Sequence, residues 1–78
     1  MVTVRLFAAA AEAAGSEETS VASGTTSQIG EQLIATSGDE FARVWRQCAL
    51  MVDGRRVGPG EVVADGSTLD VLPPFAGG

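Results

Sequence analysis

The sequence predicts an α+β domain in which a small mixed sheet packs on one main helix. Three observations carry that expectation. Apolar residues alternate at both ends of the chain, at Val2, Val4 and Leu6 and again at Leu69 and Val71, which is the period of a strand with one buried face. Between them, Ile29, Leu33 and Ile34 recur at helical spacing behind Thr25 and Gln28, the two positions of a capping box. Two Asp-Gly dipeptides, Asp53-Gly54 and Asp65-Gly66, punctuate the second half in the way tight turns separate short strands.

In the first strand Val2, Val4 and Leu6 face the core, so Phe7 is expected to point outward. The run from Ala8 to Ala14 is made almost wholly of the best helix former, and Gly15 can close it in the left-handed conformation. The polar stretch from Ser16 to Ser23, with Val21 inside it, fits a short edge strand. The main helix is expected over residues 26–36, weakened by Gly30 and ended by Gly38. Asp39 is then read as the cap of a further helical stretch that places Phe41, Val44, Trp45 and Cys48 on one face as core. From Ala49 the pattern returns to strands: a hairpin through Asp53-Gly54, a Gly-Pro-Gly loop, the turn at Asp65-Gly66 and a last strand over residues 68–72.

Composition narrows the function. The 78 residues make one domain, too small for an independent catalytic constellation, so the chain is not expected to be catalytic alone. Ten acidic residues against five basic ones give a net charge of −5, which opposes nucleic-acid phosphate and anionic membrane surfaces. No apolar run reaches spanning length and the chain opens directly on a strand pattern, so a soluble cytoplasmic protein with neither nucleic-acid nor membrane partners is expected. All five basic residues are arginine, and histidine is absent. No metal site or bound cofactor is expected. Cys48 stands alone in an apolar neighbourhood and is read as a small packed hydrophobe rather than a reactive thiol.

The informative stretch is the ending, Leu72-Pro73-Pro74-Phe75-Ala76-Gly77-Gly78. Two consecutive prolines remove two backbone donors, stop the final strand and hold the chain extended. Ala76, Gly77 and Gly78 have so little side-chain volume that they can thread a narrow channel and bring backbone into another protein's active site. Glycines at a chain end are by themselves unremarkable, since ends fray. The combination of strand, double proline, one large apolar residue and Ala-Gly-Gly is what reads as an arm delivering its own carboxylate. Residues 1–72 are accordingly expected to form the domain and residues 73–78 a flexible, extended tail.

With this ending and the element order above, the whole chain resembles the ubiquitin-like sulfur-carrier proteins of the MoaD/ThiS family, which have a β-grasp fold. The opening Val2 to Ala8 and the closing Asp70 to Gly78 look most like the small subunit of molybdopterin synthase. The resemblance implies that an E1-like adenylyltransferase activates the Gly78 carboxylate with Mg-ATP, which the partner binds and this chain does not. A sulfur donor such as a persulfide-bearing protein then converts the adenylate into a thiocarboxylate. Pro73, Pro74, Phe75, Ala76 and Gly77 would thread the active site of the large synthase subunit, where the sulfur passes to a pterin precursor. Sulfur delivery to thiamine, cysteine or another metabolite, and conjugation of Gly78 to protein lysines, use the same activation and stay open. Strand parity adds a contact surface: Phe7 and Leu72 face away from the core on neighbouring first and last strands and, with Phe75, are expected to anchor both partners as an exposed apolar patch.

Overall fold

The computed structural model describes residues 1–74. Its first strand, β1 (Val2–Leu6), lies next to the last, β7 (Thr68–Leu72), and the two run parallel with Leu6 opposite Val71. β2 (Glu18–Val21) borders β1, while β4 (Ala49–Val52) and β5 (Arg55–Val57) continue the sheet beyond β7. The strand order is β2-β1-β7-β4-β5, and every pair except β1 with β7 is antiparallel. One pairing was not foreseen: β3 (Gly24–Thr25) and β6 (Val62–Val63) form a separate two-stranded ribbon. At two residues each, they are too short to show a period in the sequence.

The core lies on one face of the sheet. Val2, Val4, Leu69 and Val71 have no solvent exposure, as their alternation requires. Against them pack α2 (Thr26–Ser37) through Ile29 and Leu33, and α3 (Asp39–Trp45) through Phe41. The capping box is present in full. The Gln28 amide donates to Thr25 Oγ1 at 3.1 Å, and the Thr25 amide donates to Gln28 Oε1 at 2.9 Å. Thr26, buried at the start of α2, ties down the Gly-Pro-Gly loop: its hydroxyl donates to the Gly58 carbonyl at 3.1 Å and accepts from the Gly60 amide at 2.8 Å.

Gly30 has a reason that helix propensity hides. A Cβ built there would lie 2.6 Å from the Trp45 indole, so the missing side chain is what lets α3 close against α2. The expected cap of α3 is corrected. Gly38 occupies the N-cap at φ 91°, Asp39 is the first helical residue, and no side chain caps the helix. Gly38 also ends α2 by donating to the Ile34 carbonyl at 2.7 Å, and one residue serving both junctions leaves no room for a separate capping side chain. α3 stops at Trp45, so Cys48 lies past it rather than on it. The Asp53-Gly54 turn has positive φ at both residues, 48° and 85°, the geometry of a two-residue hairpin.

Candidate functional site

β7 is the middle strand of five, so whatever follows it leaves from the centre of the sheet's end. Leu72 is held between Ala49 of β4 and the end of β1, where the Phe7 amide donates to the Val71 carbonyl at 3.3 Å. Pro73, grouped with the tail on sequence, is buried, and Pro74 is the first exposed residue of that stretch. Both prolines line a groove of about 170 Å³ with Ala8, Ala9, Arg43, Val44 and Gln47. The first proline therefore anchors the root of the arm against the start of α1 (Ala9–Ala14) and the end of α3. Phe75, Ala76, Gly77 and Gly78, which carry the expected threading and chemistry, lie outside the described residues.

Phe7 and Leu72 are neighbours on the side of the sheet away from the core, following the parity of Leu6 and Val71. Both are half-buried rather than open. The Arg5 guanidinium sits 5.4 Å from the centre of the Phe7 ring, and Leu72 is flanked by strands on both sides. Arg5 Nε also approaches Asp70 Oδ1 at 3.6 Å, too far for a hydrogen bond, and that buried oxygen has no hydrogen-bond partner among the described residues. Ala8 follows Phe7 with φ 49° and ψ −123°, in a turn closed by the Ala10 amide on the Phe7 carbonyl at 3.0 Å. That conformation belongs to the glycine position of a II′ turn, and a Cβ there is strained.

Cys48 is half-buried, and its Sγ donates to the Val44 carbonyl at 3.2 Å. Burial pushes its thiol up from the ordinary value, away from the thiolate that nucleophilic chemistry needs. Among the described residues no three histidine, cysteine, aspartate or glutamate side chains come together to hold a metal ion. No helix there is long and apolar enough to cross a membrane. Sequence reasoning found Phe7, Leu72 and the prolines but missed the groove under Pro73, because Arg43, Val44 and Gln47 reach it only through the packing of α3.

A mixed sheet wrapped across one main helix, with its central strand leading into a Gly-Gly ending, defines a ubiquitin-like β-grasp domain. The chain belongs to the ThiS family, whose model matches residues 4–78. Among solved structures, SAMP1 from Haloferax volcanii is similar with a TM-score of 0.78 at 26% identity, covering 99% of this chain and 98% of that one. A protein from Pyrococcus furiosus assigned as molybdopterin converting factor subunit 1 has a TM-score of 0.72 at 22% identity, with 94% and 95% covered. A chain of the complex between subunits 1 and 2 of molybdopterin-converting factor from Helicobacter pylori has a TM-score of 0.67 at 19% identity, with 99% and 97% covered. The last two likenesses are of fold. A comparison with curated proteins finds no match.

Proposed function

We propose that this chain is a cytoplasmic sulfur carrier that works through a thiocarboxylate at Gly78, and that its acceptor is a pterin precursor in molybdenum cofactor synthesis. The observation that carries the reading is the exit of the chain. The central strand of a ThiS-family domain ends at a buried proline, and past the exposed Pro74 come Phe75, Ala76, Gly77 and Gly78. Such a segment presents a carboxylate on nearly bare backbone.

The chemistry follows from the weakness of a carboxylate as an electrophile. An E1-like adenylyltransferase joins Gly78 to AMP, releasing pyrophosphate from Mg-ATP. A persulfide sulfur then displaces AMP, and a second thiol reduces the resulting acyl disulfide to the thiocarboxylate. That soft nucleophile, steered by the protein it is tethered to, attacks an acceptor carbon and forms the carbon–sulfur bond as an oxygen leaving group departs from that carbon with its electron pair. Hydrolysis of the thioester returns Gly78 to a carboxylate. In this reading the large synthase subunit admits Phe75 to Gly78, and Phe7, Leu72 and Phe75 are its contacts; the similarity to a chain of the two-subunit converting factor supports that partner.

Intact mass after incubation with an adenylating enzyme, Mg-ATP and a sulfur source tests the proposal. One sulfur replacing one oxygen at Gly78 is expected, with complete loss in a chain lacking Gly78 or extended beyond it. Thiolation of the extended chain without trimming would overturn it. The similarity to SAMP1, described in a second structure as a small archaeal modifier protein, favours one alternative: conjugation of Gly78 to a lysine of another protein. A lysine-linked product in place of the thiocarboxylate would select that alternative.

A further inference from the structure

Charge on this chain is distributed against its total. Acidic residues outnumber arginines ten to five, yet the two cavities beside the root of the arm are lined by three of those arginines and by no carboxylate. Arg43 lines the groove under Pro73 and Pro74. Arg46 and Arg56 line a second cavity of about 380 Å³, whose wall includes Ala49, the Cα partner of Leu72. All three are exposed and make no ion pair among the described residues, whereas Arg5 and Arg55 are paired with Asp70 and Glu61. On the opposite flank, past Phe7, Glu17 and Glu18 line the next cavity together with Arg5, which is paired with Asp70, so the unpaired arginines lie on one side of the arm only.

From this arrangement we propose that the α3 and β5 flank of the arm's root is a docking surface for an acidic protein surface, the one that the E1-like adenylating enzyme presents around its channel for residues 75–78. The proposal rests on the sulfur-carrier reading for the identity of that channel, and on the charges alone for its chemistry. Unpaired exposed arginines are ordinary on a basic protein. Here they come from two separate elements, converge at one end of a chain of net charge −5, and make no ion pair among the described residues. A site for a small anion would gather its cations in a single cavity; these are divided between two neighbouring cavities along one flank, which matches an extended partner surface. Charges so placed act within about 8–10 Å in physiological salt, so they guide the encounter and its orientation rather than the chemical step.

Two readouts on the full chain test it. With a purified E1-like adenylating enzyme, the combined Arg43→Glu, Arg46→Glu and Arg56→Glu variant should raise KM for this chain by about tenfold or more at low salt, leave kcat within about twofold, and flatten the salt dependence. Circular dichroism checks that the variant is folded. Unchanged KM and salt dependence in a folded variant would overturn the docking surface while leaving the carrier reading standing. Separately, titration of the isotope-labelled chain with a decaglutamate peptide should shift amide resonances at Ala8, Val44, Gln47 and Ala49, and the shifts should vanish in the variant. Shifts scattered over the molecule, or the same shifts produced by AMP or tripolyphosphate at lower concentration, would overturn the proposal in favour of no site or a small-anion site. If the wild-type chain is never thiolated, the carrier reading falls and the peptide titration alone decides.

Discussion

Trp45 and Phe7 are both half-buried aromatic side chains at the margin of the core, and their surroundings differ in kind. Around Trp45 the structure has yielded to packing: Gly30 gives up its side chain so the indole can press on α2, and the Phe41 ring lies 6.1 Å from it, centre to centre, tilted by 35°. Around Phe7 local penalties are tolerated instead. Ala8 holds a backbone conformation suited to glycine, and the neighbouring Asp70 keeps a buried oxygen without a hydrogen bond. The first region is shaped by packing. The second tolerates strain at the end of the central strand, and penalties of that kind gather at functional positions.

Breaking the packed region should have the largest effect. Phe41, without solvent exposure, belongs to the buried cluster that joins the sheet to α2 and pairs with the Trp45 ring, and Phe41→Ala is expected to cost about 3–5 kcal/mol, most of the stability of a domain this small. Gly30→Ala should also destabilise, by about 1–2 kcal/mol, because a Cβ 2.6 Å from the indole outweighs the better helix propensity of alanine. Urea unfolding followed by circular dichroism reads both. A Gly30→Ala variant more stable than wild type would show that α3 can move away from α2 without loss.

At the root of the arm the effect should move from stability to binding. Phe7→Ala is expected to weaken the complexes with the adenylating enzyme and the large synthase subunit by about 2 kcal/mol each, roughly 30-fold in Kd, while lowering stability by less than Phe41→Ala does. Titration calorimetry with each partner measures it. Wild-type affinity for both would remove Phe7 from the contact surface and leave its ring as a cover for the end of β1.

The difference between the regions also explains what could be read in the sequence. Val2, Val4, Leu6, Leu69 and Val71 announce their strands because one residue in two is buried, and Thr25 with Gln28 announces α2 because a cap is a local contact. The tail is read from residue type alone, since Phe75 to Gly78 lie outside the described residues. Three features were hidden for one reason, that their partners are distant in sequence. Gly30 reads as a helix weakness until Trp45 is seen against it. Pro73 reads as tail until α1 and α3 close over it. Arg43, Arg46 and Arg56 read as scattered solvated charges until folding brings α3 and β5 to the same end of the sheet.

Ala8→Gly sharpens the comparison from the strained side. Relief of a left-handed alanine is worth about 1–3 kcal/mol and glycine loses about 0.5–1 kcal/mol through the unfolded chain, so a net gain of about 1 kcal/mol is expected in urea unfolding. A loss of stability would show that the turn after Phe7 stores no strain, and the contrast with Gly30 would then rest on Asp70 alone.

The smallest effect should come from Cys48, which sits between the two regions, bonded to the Val44 carbonyl at the end of α3 and lining the cavity with Arg46 and Arg56. Burial raises its thiol in the folded state above the ordinary value of 9.0, while the unfolded chain ionises at that value. The folded state therefore holds the proton more tightly. The stability this contributes is fully present below the unfolded value and is lost as pH rises through the raised one. Wild type should accordingly lose stability more steeply than Cys48→Ser as pH rises above the ordinary thiol value, by a margin that is small because the residue is only half-buried. Thiocarboxylate formation at neutral pH should be the same in both, since the thiol stays protonated and the incoming sulfur goes to Gly78. Parallel pH slopes would mean that solvent reaches Sγ freely. Loss of thiolation in a folded Cys48→Ser chain would make the root of the arm a chemical participant rather than a platform.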